Sequence, residues 1–163
     1  MIRAAVLTIS DSSHAGARQD ASGPAVCEIV DRLGWQVVCT QVLPDERETI
    51  AARLRQLACE EKVDVVLTTG GTGVAPRDIT PEATRDVIER EIPGLAELMR
   101  AEGLKSTRRA ALSRAVAGHC GQTLIVNLPG SPRGAVESLN AIVDLAPHVV
   151  DLLGGKTEHQ EPK

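Results

Sequence analysis

Short aliphatic runs alternate along the chain with amphipathic stretches, and this order predicts alternating strands and helices. Residues 3–10, RAAVLTIS, form a continuous apolar run that is typical of a strand covered on both faces. Further strands are predicted at about 36–43, 63–69 and 122–127. Helices are predicted at about 25–33, 46–61, 80–92, 94–102, 132–145 and 148–153. Strands that alternate with helices in this way predict parallel βαβ units, and therefore an α/β fold with an open parallel sheet between helices.

Two proline-containing segments predict how helices begin. Thr80 is predicted to cap the helix that starts at Pro81, and Ser131 to cap the helix that starts at Pro132. Proline fits the first helical position because its missing N–H would have no intrahelical partner there. Helix starts are therefore expected near residues 80 and 131.

The length of the chain and its lack of long apolar segments bound the class of protein. A chain of 163 residues fits one domain, predicted over residues 1–154 and followed by a polar tail at 155–163. No segment approaches the roughly 20 apolar residues that cross a bilayer, and the N-terminal apolar run is too short for a secretory signal. The four cysteines are widely spaced, and we interpret them as reduced thiols that fill core space. We therefore expect a cytoplasmic protein without a membrane segment.

The composition argues against nucleic acid as a partner. The chain has no Phe, no Tyr and only Trp35, so it lacks the aromatic platforms on which single-stranded bases stack. Its formal net charge of −4 disfavours binding to a phosphate backbone. A small anionic ligand held by a few backbone N–H groups is compatible with this charge. We therefore expect small-molecule partners and no nucleic acid.

Residues of unusual type follow all four predicted strands. They are Ser10 and Asp11, Pro44 and Asp45, TTGGTG at 68–73, and NLPGSP at 127–132. In an open parallel sheet the carboxyl ends of the strands meet at one edge, and ligands bind there. Glycine, proline and aspartate also simply make turns, but their agreement in position favours a binding site.

The segment TTGGTG predicts a cradle for phosphate. Gly70, Gly71 and Gly73 leave backbone N–H groups without flanking side chains, and the hydroxyls of Thr69 and Thr72 lie beside them. No lysine follows, so the segment is not a Walker loop, and its glycine spacing differs from the dinucleotide fingerprint. An anionic ligand in such a cradle needs another source of positive charge.

Asp45 and Asp78 are candidates to provide that charge by holding Mg²⁺. Magnesium typically takes one or two carboxylates together with phosphate oxygens and water. Two alternatives stay open at this point. Asp45 is also suited to cap the helix that follows it, and Asp78 is suited to pair with the adjacent Arg77.

Several other polar residues are candidates for ligand contacts. Ser113 and Asn127 lie in apolar surroundings, where a heterocycle can use their hydrogen bonds and where structural capping is the alternative. The basic cluster of Arg108, Arg109 and Arg114 is suited to face an anionic phosphate, with a solvated helix face as the alternative.

The assembled motifs resemble the MogA/MoaB family, the molybdopterin adenylyltransferases, which are similar also to the N-terminal domain of gephyrin. The motifs are ISD at 9–11, LPDE at 43–46, TTGGTG at 68–73, RDITPEAT at 77–84, LSRAVAG at 112–118 and NLPGSP at 127–132. The resemblance covers about residues 3–153, and its most specific parts are the glycine segment with RDITPEAT and the segment NLPGSP.

This resemblance implies a three-layer α/β/α sandwich around a mostly parallel sheet, commonly assembled as a homotrimer. It implies an enzyme that transfers AMP from Mg-ATP to the terminal phosphate of molybdopterin and releases pyrophosphate. Asp45 and Asp78 match the family's acidic residues around Mg-ATP. The other matching positions are Ser10 and Asp20 in the same pocket, Thr69, Gly70, Gly71, Thr72 and Gly73 in the phosphate cradle, and Ser113, Asn127, Pro129, Gly130 and Ser131 in the outer wall.

The resemblance does not separate MogA from MoaB. The chain is short, as MoaB is, while LPDE and RDITPEAT read like MogA. Some MoaB-type members lack activity, so a noncatalytic molybdopterin-binding or scaffold protein of the same pathway is the alternative. A nucleotide hydrolase of the related CinA-like domain is a second alternative, which RDITPEAT disfavours.

Overall fold

The computed structural model describes residues 1–157. Six strands occur in this range: β1 (Arg3–Ile9), β2 (Gln36–Leu43), β3 (Val65–Thr69), β4 (Arg90–Glu91), β5 (Ala117–Cys120) and β6 (Thr123–Leu128). The α-helices are α1 (Asp11–His14), α2 (Ser22–Arg32), α3 (Arg47–Arg55), α4 (Thr80–Arg85), α5 (Pro93–Leu104), α6 (Pro132–Asn140) and α7 (Ala146–Leu153). A π-helical turn, Gln56–Glu60, continues α3, and a 3-10 turn, Arg108–Leu112, follows α5. Of the predicted polar tail, residues 158–163 lie outside the described part of the chain.

All six strands form one sheet in the order β2-β1-β3-β6-β5-β4. The four predicted strands, β1, β2, β3 and β6, run parallel to one another. The two strands that the pattern did not predict, β5 and β4, add an antiparallel edge beyond β6. The sheet is therefore mostly parallel, as predicted, and its central strands β1 and β3 are covered on both faces.

Alternation of side chains along the strands divides the core into two layers. Ala4 and Val6 of β1 face one layer, in which residues of α2, α5, α6 and α7 are packed. Ala5 and Leu7 face the other layer, with residues of α3 and α4. This arrangement confirms the predicted three-layer α/β/α sandwich. The expectation that the cysteines fill core space is wrong for Cys59, which is exposed.

Two predicted helix boundaries differ in the structure. The helix that begins near residue 80 ends at Arg85, because the chain then turns into the short edge strand β4. Thr80 is not the N-cap of α4. Ile79 occupies that position, and the Thr80 hydroxyl instead donates to the carbonyl of Gly70 over 3.0 Å. Ser131 does cap α6, since its hydroxyl accepts from the N–H of Gly134 at 3.1 Å, with Pro132 at the start of the helix.

The carboxyl ends of β1, β2, β3 and β6 meet at one edge of the sheet. The loop after β3 is joined to the loop after β6, since the Gly70 N–H donates to Leu128 O over 3.1 Å and the Thr69 hydroxyl donates to Pro129 O over 2.7 Å. The predicted convergence of the four strand ends is confirmed. Among the helices of residues 1–157, none combines the length and the apolar character needed to cross a membrane.

Candidate functional site

Two cavities adjoin each other at the carboxyl edge of the sheet. The first, of about 400 Å³, lies beside the loop that joins α1 to α2. The second, of about 370 Å³, lies between the 3-10 turn, α5 and α6. Their shared wall consists of Gly71, Asp78, Gly130 and Ser131. Two ligands bound side by side would therefore meet at these four residues.

The segment Gly70–Gly73 turns all four of its carbonyls onto protein donors. Gly70 O accepts from the Thr80 hydroxyl at 3.0 Å and Gly71 O accepts from the Thr80 N–H at 3.1 Å. Thr72 O accepts from the backbone N–H of Arg114 at 2.8 Å, and Gly73 O accepts from its guanidinium Nε at 2.6 Å. Because the peptide bonds of this segment are trans, the N–H of each following residue points the opposite way.

The N–H groups of residues 71–73 are consequently available to a ligand. Within residues 1–157 these three groups donate to no protein acceptor, and all three residues line the second cavity. The N–H of Gly70, which was also predicted to belong to the phosphate cradle, is not available to a ligand, because it donates to Leu128 O. Gly70 and Gly71 have φ values of +100° and +68°, so this run of N–H groups requires glycine. A concave run of free N–H groups is typical of an anion site.

Asp45 is held by a reciprocal pair of hydrogen bonds with Asp11. Each residue's backbone N–H donates to the carboxylate of the other over 2.9 Å. The helix N-cap is Glu46, whose side chain makes no capping bond, so capping does not explain Asp45. Burial raises the pKa of Asp45 above its ordinary value, and the charges of Asp11 and Asp78 raise it further against the opposing bond from Asp11 and the charge of Arg77.

Asp78 faces the shared wall of the two cavities. Its carboxylate accepts the N–H of Ala75 at 2.9 Å. Arg77 does not pair with Asp78, as the alternative interpretation expected. It makes two hydrogen bonds of 2.8 and 2.9 Å to the carboxylate of Asp11, and the hydrogen bonds and charge of Arg77 are the main reason that the pKa of Asp11 lies below its usual range.

The two remaining carboxylates have the chemistry that Mg²⁺ requires. Both side chains are partly buried, and both offer carboxylate oxygens as metal ligands. Their negative charges repel each other in the absence of a cation. An ideal Cβ on Gly71 would lie 3.1 Å from Asp45 Oδ1, and one on Gly73 would lie 2.7 Å from Asp78 Oδ2. Residues 1–157 hold no cluster of three or more His, Cys, Asp or Glu suited to a metal. Asp45 and Asp78 therefore fit a cation whose other ligands are phosphate oxygens and water.

Most of the other predicted residues lie around the two cavities. Ser10, Asp20, Thr69 and Gly70 line the first cavity, and Thr72, Gly73, Ser113 and Pro129 line the second. The Asp20 carboxylate accepts from the Thr8 hydroxyl at 2.6 Å and from the Gly23 N–H at 3.1 Å, so it also fixes the start of α2. The Ser113 hydroxyl accepts from the Ala115 N–H at 3.3 Å.

Asn127 is the predicted site residue that lines neither cavity. It is fully buried in β6, and its side-chain oxygen accepts from Val116 N–H at 3.1 Å. Its amide nitrogen donates to the hydroxyls of Thr68 and Thr84 at 3.0 and 2.9 Å. The side chain therefore links three elements beneath the loops.

The predicted basic cluster is divided by the structure, and two arginines that line the cavities, Arg18 and Arg100, were missed. Arg109 lines the second cavity, Arg108 does not, and Arg114 lies behind the glycine segment. Arg18 lines the first cavity, although nothing in the polar loop around it marked it in the sequence. Neither Arg18 nor Arg109 forms a salt bridge with another residue of the described range 1–157. The first cavity is thus lined by the exposed Arg18 and the second by the exposed Arg109, together with the half-buried Arg100, which donates to Ala115 O at 3.1 Å.

Comparisons with known proteins identify the family of this chain. A family described as probable molybdopterin binding domain matches residues 5–148. A molybdopterin adenylyltransferase of Helicobacter pylori is 42% identical over 156 residues, which cover 94% of this chain and 89% of that protein. The molybdenum cofactor synthesis protein cinnamon of Drosophila melanogaster is 44% identical over 91% of this chain, which spans only 25% of that longer protein.

The fold has the same relatives. The structure of the molybdopterin biosynthesis enzyme MoaB from Thermus thermophilus superposes with a TM-score of 0.90 at 51% identity, covering 96% of this chain and 98% of that one. The predicted resemblance is confirmed. This chain belongs to the family of molybdopterin binding domains that includes MogA and MoaB.

Proposed function

We propose that this protein transfers AMP from Mg-ATP to the terminal phosphate of molybdopterin and releases pyrophosphate. The observation that carries the proposal is the junction of the two cavities, where Gly71 and Asp78 lie in the shared wall, Asp45 lines the first cavity, and Thr72 and Gly73 line the second with free N–H groups. That arrangement suits a phosphate chain with a cation. The name of the H. pylori relative supports the same reaction.

Each substrate is assigned to one cavity. The nucleotide occupies the first cavity, beside Ser10, Arg18 and Asp20, and the pterin occupies the second, whose polar groups include Ser113 and Arg109. The second cavity also offers the side chains of Met99 and Leu112 to a flat heterocycle. The two phosphate groups then meet at Gly71, Asp78, Gly130 and Ser131.

The chain's residues contribute position and charge to the reaction. A phosphate oxygen of molybdopterin attacks the α-phosphorus of ATP and forms a new P–O bond, while the bond to the oxygen bridging toward the β-phosphorus breaks and pyrophosphate leaves. The N–H groups of residues 71–73 and the N-terminus of α6 hold the phosphate oxygens. No general base is needed, because a phosphate monoester is already anionic near neutral pH.

Mg²⁺ held by Asp45 and Asp78 would neutralise charge on the phosphate oxygens. The two carboxylates pack directly against the glycine segment, since a Cβ on Gly71 would lie 3.1 Å from Asp45 Oδ1 and one on Gly73 would lie 2.7 Å from Asp78 Oδ2. Positioning of this kind can supply most of the catalysis in phosphoryl and nucleotidyl transfer.

Pyrophosphate release with molybdopterin and Mg-ATP tests the proposal. The adenylyltransferase releases pyrophosphate only when both substrates are present. A noncatalytic binding protein takes up molybdopterin without releasing pyrophosphate, and a nucleotide hydrolase acts on ATP without molybdopterin. Either of the last two results would overturn the proposed reaction.

We further propose that the chain assembles as a homo-oligomer, a trimer as the family resemblance implies. Leu98 and Leu145 are 45% and 38% exposed and border an apolar groove that also contains Ile92 and Leu95. Burial of such a patch is favourable in water. Light scattering should give three times the chain mass of 17.3 kDa, and a mass near 17.3 kDa would contradict it.

A further inference from the structure

The guanidinium of Arg114 lies directly behind the glycine segment and bonds to three acceptors. Its Nε donates to Gly73 O at 2.6 Å, its Nη2 donates to Asp78 O at 2.7 Å, and its Nη1 forms an ion pair with the carboxylate of Glu82. Its backbone N–H donates to Thr72 O at 2.8 Å. Arg114 lines neither cavity, so it acts on the site through other residues.

The guanidinium and the backbone of Arg114 hold different parts of this loop. A trans peptide points its C=O and its N–H in opposite directions, so the bond from the backbone N–H of Arg114 to Thr72 O turns the N–H of Gly73 away from Arg114. The guanidinium joins Gly73 O to Asp78 O, and it therefore fixes the two ends of the loop that connects the glycine segment to Asp78. With the carbonyls reversed, the segment would present negative dipole ends to a phosphate and repel it.

Glu82 keeps the arginine in place from the other side. Burial works against the charge of Glu82, but the hydrogen bond and charge of Arg114 keep its pKa below the ordinary value. Its second oxygen, Oε2, is the only buried side-chain polar atom in residues 1–157 that lacks a hydrogen-bond partner. Glu82 and Arg114 thus form a half-buried ion pair, with side chains 28% and 36% exposed.

We propose that Arg114 is a positioning residue for adenylyl transfer, whose guanidinium anchors the end of the glycine segment at Gly73 and sets the loop that carries Asp78. This inference rests on the proposed function, since it requires that the segment bind the phosphates of Mg-ATP. It assigns to the arginine of LSRAVAG a role behind the site rather than a contact with substrate.

Arg53 offers a matched control within the same chain. It is also a partly buried arginine with three acceptors, which are Gln41, Glu61 and the thiol of Cys39. These acceptors belong to β2 and to the end of the helix after it, and Arg53 lines neither of the two cavities. Loss of Arg53 therefore removes a comparable set of bonds without touching the glycine segment.

The test is calorimetric titration of Mg-ATP into the wild-type protein, Arg114→Gln, Arg114→Lys and Arg53→Gln. We expect both Arg114 variants to bind Mg-ATP about tenfold or more weakly with an unchanged number of sites, because loss of the bonds to Gly73 O and Asp78 O displaces Asp78 at every site. Arg53→Gln should bind with wild-type affinity. A merely structural role of Arg114 would instead lower the number of sites and leave the dissociation constant unchanged.

Chemical rescue adds a second readout. Millimolar guanidinium chloride should restore Mg-ATP binding to Arg114→Ala and should not change binding by Arg53→Ala. Unchanged affinity in the Arg114 variants, or equal weakening in Arg53→Gln, would overturn the inference while the proposed function stands. Failure of the wild-type protein to bind Mg-ATP would overturn both.

Discussion

Asp11 and Asp45 exchange two hydrogen bonds of 2.9 Å, each backbone N–H donating to the other residue's carboxylate. The exchange ties the ends of β1 and β2 together at the rim of the sheet. Arg77 compensates the charge of Asp11, whereas Asp45 accepts no hydrogen bond from a cationic side chain in the described range 1–157. The relationship therefore separates a structural carboxylate, Asp11, from one that is available to a cation, Asp45.

The ionised carboxylate of Asp45 should lower the stability of the folded protein when no cation is bound. Burial and neighbouring carboxylates raise its pKa, so the folded state holds the Asp45 proton more tightly than the unfolded state does. Its contribution is favourable at low pH and is lost as the pH rises through the raised pKa. Asp45→Asn should therefore unfold at a higher temperature than the wild type at pH 7 in the presence of chelator, and the difference should disappear under acidic conditions.

Thermal unfolding over a series of pH values checks this prediction. Asp144→Asn is the control for loss of one negative charge, because Asp144 is exposed and forms no salt bridge within residues 1–157. A lower unfolding temperature for Asp45→Asn at neutral pH would show that its bonds to Asp11 outweigh the cost of its burial.

Asp45→Asn and Asp78→Asn should each remove most adenylyl transfer without unfolding the protein. Loss of one preorganised electrostatic group costs on the order of 3 kcal/mol of transition-state stabilisation, or about a hundredfold in kcat/KM. The double variant should lose less than the product of the two single losses, because both residues serve one cation. Steady-state pyrophosphate release measures all three variants, and near-wild-type rates in either single variant would remove that aspartate from the cation site.

Gly71→Ala should abolish Mg-ATP binding, whereas Gly16→Ala should not. Both residues have positive φ, +68° and +75°, so both substitutions carry a similar backbone penalty of about 1–2 kcal/mol. Only at position 71 would the new Cβ lie 2.3 Å from the Thr80 hydroxyl, which holds the carbonyl of Gly70. Titration with Mg-ATP compares the two, and equal affinities would show that the glycine segment is not the phosphate cradle.

Cys120 should react with thiol reagents far more slowly than Cys59. Burial, together with a hydrogen bond between the thiols of Cys120 and Cys59, whose sulfurs lie 4.0 Å apart, raises the pKa of Cys120 to about 11, so its thiol is neutral at pH 8. Cys59 is exposed. Brief alkylation at pH 8 followed by mass spectrometry should modify Cys59 first, with equal labelling expected only in denaturant. Equal labelling of the folded protein would contradict the burial of Cys120.

The sequence was sufficient to predict the parallel part of the sheet. The strands β1, β2, β3 and β6 are aliphatic runs bounded by turn residues, and such local patterns survive folding. The edge strands β4 and β5 were missed because β4 has two residues and β5 contains glycine and histidine, so neither shows a strand pattern on its own. They form by pairing within the sheet, β5 with β6 and β4 with β5.

The residues of the site that follow strands could be predicted from the sequence, but the side chains that hold these loops from behind could not. The glycine segment and the two aspartates follow strands, and the rule for parallel sheets brings them together. The role of Thr80 as a donor to Gly70 rather than a cap, and the placement of Arg114 behind Gly73, depend on contacts across 10 and 41 residues of sequence. Nothing local marks these partners, since threonine before proline also suits a helix cap.

The fate of the α-phosphorus of ATP tests the proposed reaction most directly. Wild-type protein is incubated with molybdopterin, Mg²⁺ and ATP radiolabelled at the α-phosphorus, and the products are separated and counted. The label should appear in a molybdopterin-bound species in a one-to-one ratio to the pyrophosphate released, and it should not appear when molybdopterin is omitted. Label that stays in ATP, or that appears as free AMP whether or not molybdopterin is present, would contradict adenylyl transfer by this site.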